Sequence, residues 1–219
     1  MYESSISQAR VAAFLRQYTH DVRNTINCMD LEMELMQDLV TEPEAVTSMN
    51  RIRDQLRSME VQMRSLSAAF HEPHPTPDII PARVLLQIWR EKHAEHAEAA
   101  PIQWSDELGD EQVEVDVEMV ASAFNELLTN AVTYSEGGAL SAHAAPRGGH
   151  VVFELKEVKK TAVDPSGWGQ PFSAASRGHY GLGLWAARRK VEANGARFSQ
   201  RWEASSSALI TEVSLPVLK

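Results

Sequence analysis

A histidine at position 20 is followed by an acid, Asp21, and by two amides, Asn24 and Asn27, four and seven residues on. On a helix those spacings place both amides on the histidine's own face. An imidazole so placed can act as a nucleophile, and Asp21 can orient it or accept its proton. A second polar pair is Glu126 and Asn130, also four apart, where a carboxylate and an amide could hold hydrated Mg2+ against phosphate oxygens. A third element is the glycine series Gly178, Gly181 and Gly183 just ahead of an apolar-periodic segment. Glycines there let the backbone approach a polyphosphate, and the helix N-terminus supplies N–H groups and positive dipole. Each element alone has an ordinary explanation: a surface histidine, a solvated helix face, a glycine-rich turn.

The segments that must position these residues follow from periodicity. Residues 15–40 carry apolar side chains at Leu15, Tyr18, Val22, Met29, Met33, Met36 and Val40, with Thr25 on the same line. At about 100° per residue His20 lies roughly 160° from Val22, so the imidazole faces away from the seam. The helix is expected over 4–40, with Ser4 or Ser5 as N-cap. After the break at Thr41-Glu42-Pro43-Glu44, a second seam runs through Val46, Met49, Ile52, Leu56, Met59, Met63, Leu66 and Phe70. Two helices so joined form an antiparallel hairpin whose seams cannot all be buried within one pair, and dimerisation into a four-helix bundle is the expected solution.

Pro73, Pro75 and Pro77 forbid a continuing helix. The domains are therefore read as 1–72, a helical hairpin; 73–81, a proline-rich linker; and 82–219, a mixed domain. In the last, helices are expected over 82–99, 117–134 and 182–193. Strands are expected at 102–104 and 113–115 around a turn, at 139–145 and 151–157 as a pair, and at 197–203 and 208–215. This order predicts an α/β sandwich with helices on one face of a mixed sheet. His71, His74, His93 and His96 lack the further ligands a metal site needs and are read as linker and surface residues.

With 219 residues, 43% of them hydrophobic, the chain can bury a substantial core. A net charge of −9 without a dense basic block argues against nucleic acid and anionic membrane as partners. The single cysteine, Cys28, permits no intramolecular disulfide, and a reducing compartment is expected. No leader-like N-terminus and no run of about 18 apolar residues is found, so the expected location is cytoplasmic.

The run His20-Asp21-Val22-Arg23-Asn24-Thr25-Ile26-Asn27 resembles the phosphoacceptor box of two-component histidine kinases: His, an acid, any residue, a basic residue, Asn or Thr, then Pro-Leu. Thr25 replaces the customary proline. Asn125-Glu126-Leu127-Leu128-Thr129-Asn130-Ala131 resembles the asparagine box of the GHKL ATPases, and residues 178–189 resemble the last glycine box of the kinase ATP domain. The three lie in the family's order, with a proline linker between the first and second.

The resemblance implies an α+β chain: a dimerisation and histidine-phosphotransfer hairpin, then a GHKL-type α/β sandwich. It implies that His20 carries a phosphoryl group for exchange with an aspartate on a response-regulator receiver domain. Asp21 and Asn24 would assist, Asn24 at the position where family members with phosphatase activity orient water. It implies ATP and Mg2+ as cofactors, with Asn130 on the metal, Glu126 where several members carry a general base, and Gly178, Gly181 and Gly183 against the nucleotide. An upstream sensor protein is a further expected partner.

The family's adenine box, Asp-x-Gly-x-Gly, is where the sequence departs. Glu157 stands roughly at its aspartate, but Val158-Lys159-Lys160 follows without glycine. Asp164-Pro165-Ser166-Gly167-Trp168-Gly169 echoes the box with one residue too many, and the lid that carries Phe172 must be short. A vestigial box beside a retained histidine hairpin also resembles the family's histidine phosphotransferases. Three readings remain open: a cytoplasmic ATP-dependent histidine kinase, an ATP-independent phosphotransferase, and a non-catalytic scaffold.

Overall fold

A computed structural model describes residues 8–94, 101–135, 137–171 and 181–218. The chain divides into two compact units, Met1–Glu72 and Pro73–Lys219.

The first unit is a helical hairpin of α1 (Gln8–Leu39) and α2 (Pro43–Phe70). The expected cap at Ser4 or Ser5 lies outside the described residues. Pro43 opens α2 in its first turn, where its missing N–H costs no hydrogen bond. The two helices bury a line through Thr19, Ile26 and Met33 on α1 and through Met49, Leu56 and Phe70 on α2. Arg53 ties them, donating from Nε to Asp30 Oδ1 at 3.2 Å and from Nη1 to Gln37 Oε1 at 2.8 Å. On α2 the buried line follows the expected seam, whereas on α1 it shares Met33 with that seam and is otherwise displaced to Thr19 and Ile26. Tyr18, Met29 and Met36 on α1, and Ile52 and Met59 on α2, remain exposed. The apolar strip is wider than one partner helix covers, so only its edge is buried within the hairpin.

In the second unit β1 (Asp78–Pro81) pairs antiparallel with β3 (Gln112–Val115). The linker expected over 73–81 is therefore shorter, since residues 78–81 form a strand. The helix expected over 82–99 is α3 (Ala82–Ala94), and residues 95–100 lie outside the described residues. Beyond β2 (Ile102–Asp106) come α4 (Val117–Thr133), β4 (Leu140–Arg147), β5 (His150–Val158), a 3-10 turn (Pro165–Gly167), α5 (Gly183–Ala193), β6 (Arg197–Glu203) and β7 (Ala208–Pro216). The main sheet has the order β2-β4-β5-β7-β6, with β2 and β4 parallel and the other pairs antiparallel. Strands β2 and β3, expected to neighbour one another around a turn, thus belong to different sheets.

The core forms where α3, α4 and α5 cover one face of this sheet. Trp89 of α3 stacks on Phe124 of α4 with ring centroids 4.7 Å apart, and both meet Phe153 of β5. Along β5 the residues Val151, Phe153 and Leu155 are sealed in that core, and strand alternation carries Glu157 the same way.

Asp116 fastens the start of α4. Its Oδ1 accepts from the Met119 N–H at 2.9 Å as an N-cap, and its Oδ2 accepts from the Thr76 N–H at 2.9 Å. Its own N–H donates to Asn194 Oδ1 at the C-cap of α5. The backbone N–H groups of Thr76 and Met119 hold the Asp116 carboxyl below its ordinary value of 3.8. Such a group stabilises the fold above its unfolded value, and that contribution is lost as pH falls through the folded one. Asp116→Ala should therefore cost about 1–2 kcal/mol in urea unfolding at neutral pH. The gap from the wild type should close as pH is lowered through and below 3.8; an equal gap at all pH values would contradict the carboxylate's role.

Candidate functional site

His20 and its neighbours lie on an exposed face of α1. The imidazole is 63% exposed and the Asp21 side chain 60%. Asp21 Oδ1 is 3.2 Å from His20 Nδ1, and Asn24 Nδ2 approaches the same nitrogen at 3.4 Å. Nδ1–H can donate to the carboxylate, and in that tautomer the lone pair sits on Nε2. With Nδ1–H committed to Asp21, Asn24 Nδ2 has no lone pair there to donate to, so its approach is a bond only in the other tautomer, and Nε2 is the nitrogen that carries the free lone pair. Gln17 Nε2 donates to Asp21 Oδ1 at 2.8 Å from the preceding turn, steadying the carboxylate. Asn27 is exposed on the same helix, while Arg23 is half-buried with its Nε sealed. Thr25, at the family's proline position, bonds through Oγ1 to the Asp21 carbonyl at 3.1 Å, and α1 continues unbroken through it.

In the second unit the asparagine-box residues meet the start of α5. Asn130 Nδ2 donates to Glu126 Oε1 at 3.1 Å across one turn of α4. That carboxylate lies directly over Gly183: a Cβ added there would fall 1.8 Å from Glu126 Oε1. Only glycine allows this approach without displacing the carboxylate. Glu126 thus sits against the N-terminal end of a helix, where anionic groups are favoured. Gly181 has φ +63°, a conformation glycine adopts without strain. Gly178 and Phe172 lie outside the described residues.

Lys190 was not legible as part of this group. It donates to Ser122 Oγ at 2.7 Å, and its ammonium also feels Glu126. Burial lowers its pKa, with Glu126 opposing the shift. Its spacing of seven from Gly183 puts it on the same side of α5, which is the one signal the sequence offers.

At the end of β5, Glu157 is buried beside Lys159, whose Nζ stands 2.8 Å from Glu157 Oε2. Burial pushes the Glu157 carboxyl up, while the Lys159 ammonium pulls it back. Lys159 Nζ also donates to the backbone carbonyl of Tyr134 at 2.7 Å, four residues past Asn130 on α4. Asp164 does not supply a second buried acid. It is exposed and caps its own 3-10 turn, accepting from the Ser166 N–H at 2.9 Å, which holds its carboxyl below the usual range. Among the described residues no cluster of His, Cys, Asp or Glu has the form of a metal site, and no helix is long and apolar enough to cross a membrane.

No family model matches the sequence, and no curated protein resembles it significantly. Solved structures do. Full-length ShkA in complex with AMPPNP aligns over 94% of this chain with TM-score 0.74 and 16% identity, and the chain spans 46% of its length. The Acinetobacter baumannii histidine kinase AdeS aligns over 91% of this chain and 98% of its own, with TM-score 0.57 and 16% identity. The mycobacterial sensor histidine kinase MprB covers 65% of this chain and 98% of its own, with TM-score 0.54 and 17% identity. The fold is the one these histidine-kinase structures have, a helical hairpin followed by an α/β domain.

Proposed function

We propose that this chain is a two-component signalling protein that carries a phosphoryl group on His20 Nε2 and exchanges it with an aspartate of a response-regulator receiver domain. The observation that carries this reading is the engagement of His20 Nδ1 by Asp21 on an exposed face. Nε2 attacks the phosphorus of the receiver's aspartyl phosphate; the N–P bond forms as the P–O bond breaks, and the carboxylate leaves. Asp21 stabilises the proton on Nδ1 as positive charge develops on the ring. Such transfer depends mainly on positioning and charge stabilisation, which a side chain on a rigid helix supplies. Asn24, one turn on from His20 on the same face, would orient a water toward the bound phosphoryl group.

A kinase reading is supported by Glu126, Asn130 and Gly183, which lie together at the start of α5. In that reading ATP supplies the phosphoryl group, Asn130 holds the metal, Glu126 faces the nucleotide, and Glu157 accepts from the adenine amino group. AMPPNP on ShkA supports nucleotide binding by this fold. The exposed free Cys28 suits a reducing cytoplasm, and an upstream sensor protein would supply the signal.

The exposed apolar strip through Phe14, Tyr18, Met29, Met36, Ile52 and Met59 is what a second copy of the hairpin would cover in a four-helix bundle. Equilibrium sedimentation at micromolar concentration should give a homodimer, and a monodisperse monomer would remove the bundle. For the carrier itself, incubation with a phosphorylated receiver domain should place acid-labile, base-stable radiolabel on the chain. His20→Ala should abolish the label. Asp21→Ala should slow transfer in both directions, whereas Asn24→Ala should spare labelling and slow receiver dephosphorylation. Label arising from ATP alone would favour the kinase; no label from either donor would leave the scaffold reading.

A further inference from the structure

Lys159 follows Glu157 by two residues, the position where the resembled box has its first glycine. Its side chain is 5% exposed and that of Glu157 7%. The ammonium has two partners inside the domain, the Glu157 carboxylate and the Tyr134 carbonyl at the C-cap of α4. The second contact places a cation at the negative end of a helix, where it is favoured. The lysine backbone is fixed as well, its N–H donating to the Ser207 carbonyl at 2.9 Å.

We propose that Lys159 is a built-in occupant of the base-binding acceptor: its ammonium takes on Glu157 the place of a nucleobase amino group and keeps adenine nucleotides out. The proposal rests on the reading of Glu157 as that acceptor, and it makes the receiver domain the chain's phosphoryl source.

A buried carboxylate that already holds a cation offers an incoming N–H donor no unsatisfied acceptor, and it was such an acceptor that would give a nucleobase its preference. To reach Glu157, a base would have to drive the ammonium out of a buried pair and off the helix-end carbonyl, stranding charge in the core.

The test is a titration of the full chain with Mg2+ and a fluorescent N-methylanthraniloyl ATP, read by anisotropy against the corresponding GTP derivative. The wild type should show no saturable, adenine-selective binding up to millimolar nucleotide. Lys159→Gly should acquire binding that favours the ATP derivative by about tenfold or more, the worth of one regained buried hydrogen bond. Adding Glu157→Gln to that variant should abolish the gain. Lys159→Ala serves in parallel should the glycine variant not fold, folding being checked by a cooperative melt and by retained receiver-dependent labelling. If a folded Lys159 variant gains nothing, the occupant proposal is overturned. If the wild type binds the ATP derivative selectively and Glu157→Gln weakens it, the acceptor reading survives and the occupant falls. If the wild type binds the ATP derivative selectively and Glu157→Gln leaves that binding unchanged, both are overturned.

Discussion

Strand β5 lies between β4 and β7, and its side chains alternate between the two faces of the sheet. With Val151, Phe153 and Leu155 committed to the core, the same alternation drives Glu157 beneath α4. A one-residue slip would turn all four outward, so the register cannot relax to expose the acid. A carboxylate carried inward must then find a hydrogen-bonding or charged partner there. Lys159, on the same face two residues later, meets it and at the same time satisfies the end of α4. The chemistry open to the second unit follows from how this one buried charge is answered.

The hairpin is governed by a different constraint, the width of its apolar surface. Burial of Thr19, Ile26 and Met33 against α2 accounts for one edge of the α1 strip, and Tyr18, Met29 and Met36 lie outside it. His20 falls on neither. A helix that buries one edge, leaves a second apolar strip exposed and keeps a third face polar can be held by packing while leaving the His20 imidazole open. Thr25 contributes by letting α1 continue unbroken through a position where a proline would interrupt its hydrogen bonds. In the proposed phosphoryl transfer, positioning would thereby come from helix packing instead of from a closed pocket.

Much of this organisation was legible in the sequence because it rests on period and punctuation. The strands expected at 151–157 and 208–215 and the helices expected over 117–134 and 182–193 each mark an element that the structure contains. What periodicity does not carry is partnership across the sheet. Nothing local to residues 102–104 and 113–115 shows that one joins the main sheet beside β4 while the other pairs with residues 78–81. On α1 the buried edge falls part of a turn from the expected seam, since Met and Tyr suit both a buried and an exposed position. At the candidate site Glu157 was visible as a departure from a known box. Lys159 was not, although the two-residue spacing that places it beside Glu157 was already on the page. A buried lysine is rare enough that its sequence position alone reads as surface.

The central claim is that His20 is the reacting group and that Asp21 fixes which of its nitrogens reacts. Phosphorus and nitrogen NMR of the nitrogen-labelled chain, after phosphoryl transfer from a phosphorylated receiver domain, measures that directly. The account predicts a single phosphohistidine, at His20, with phosphorus bonded to Nε2 and the proton retained on Nδ1. Phosphorus on Nδ1, on another histidine or on no histidine at all would contradict it.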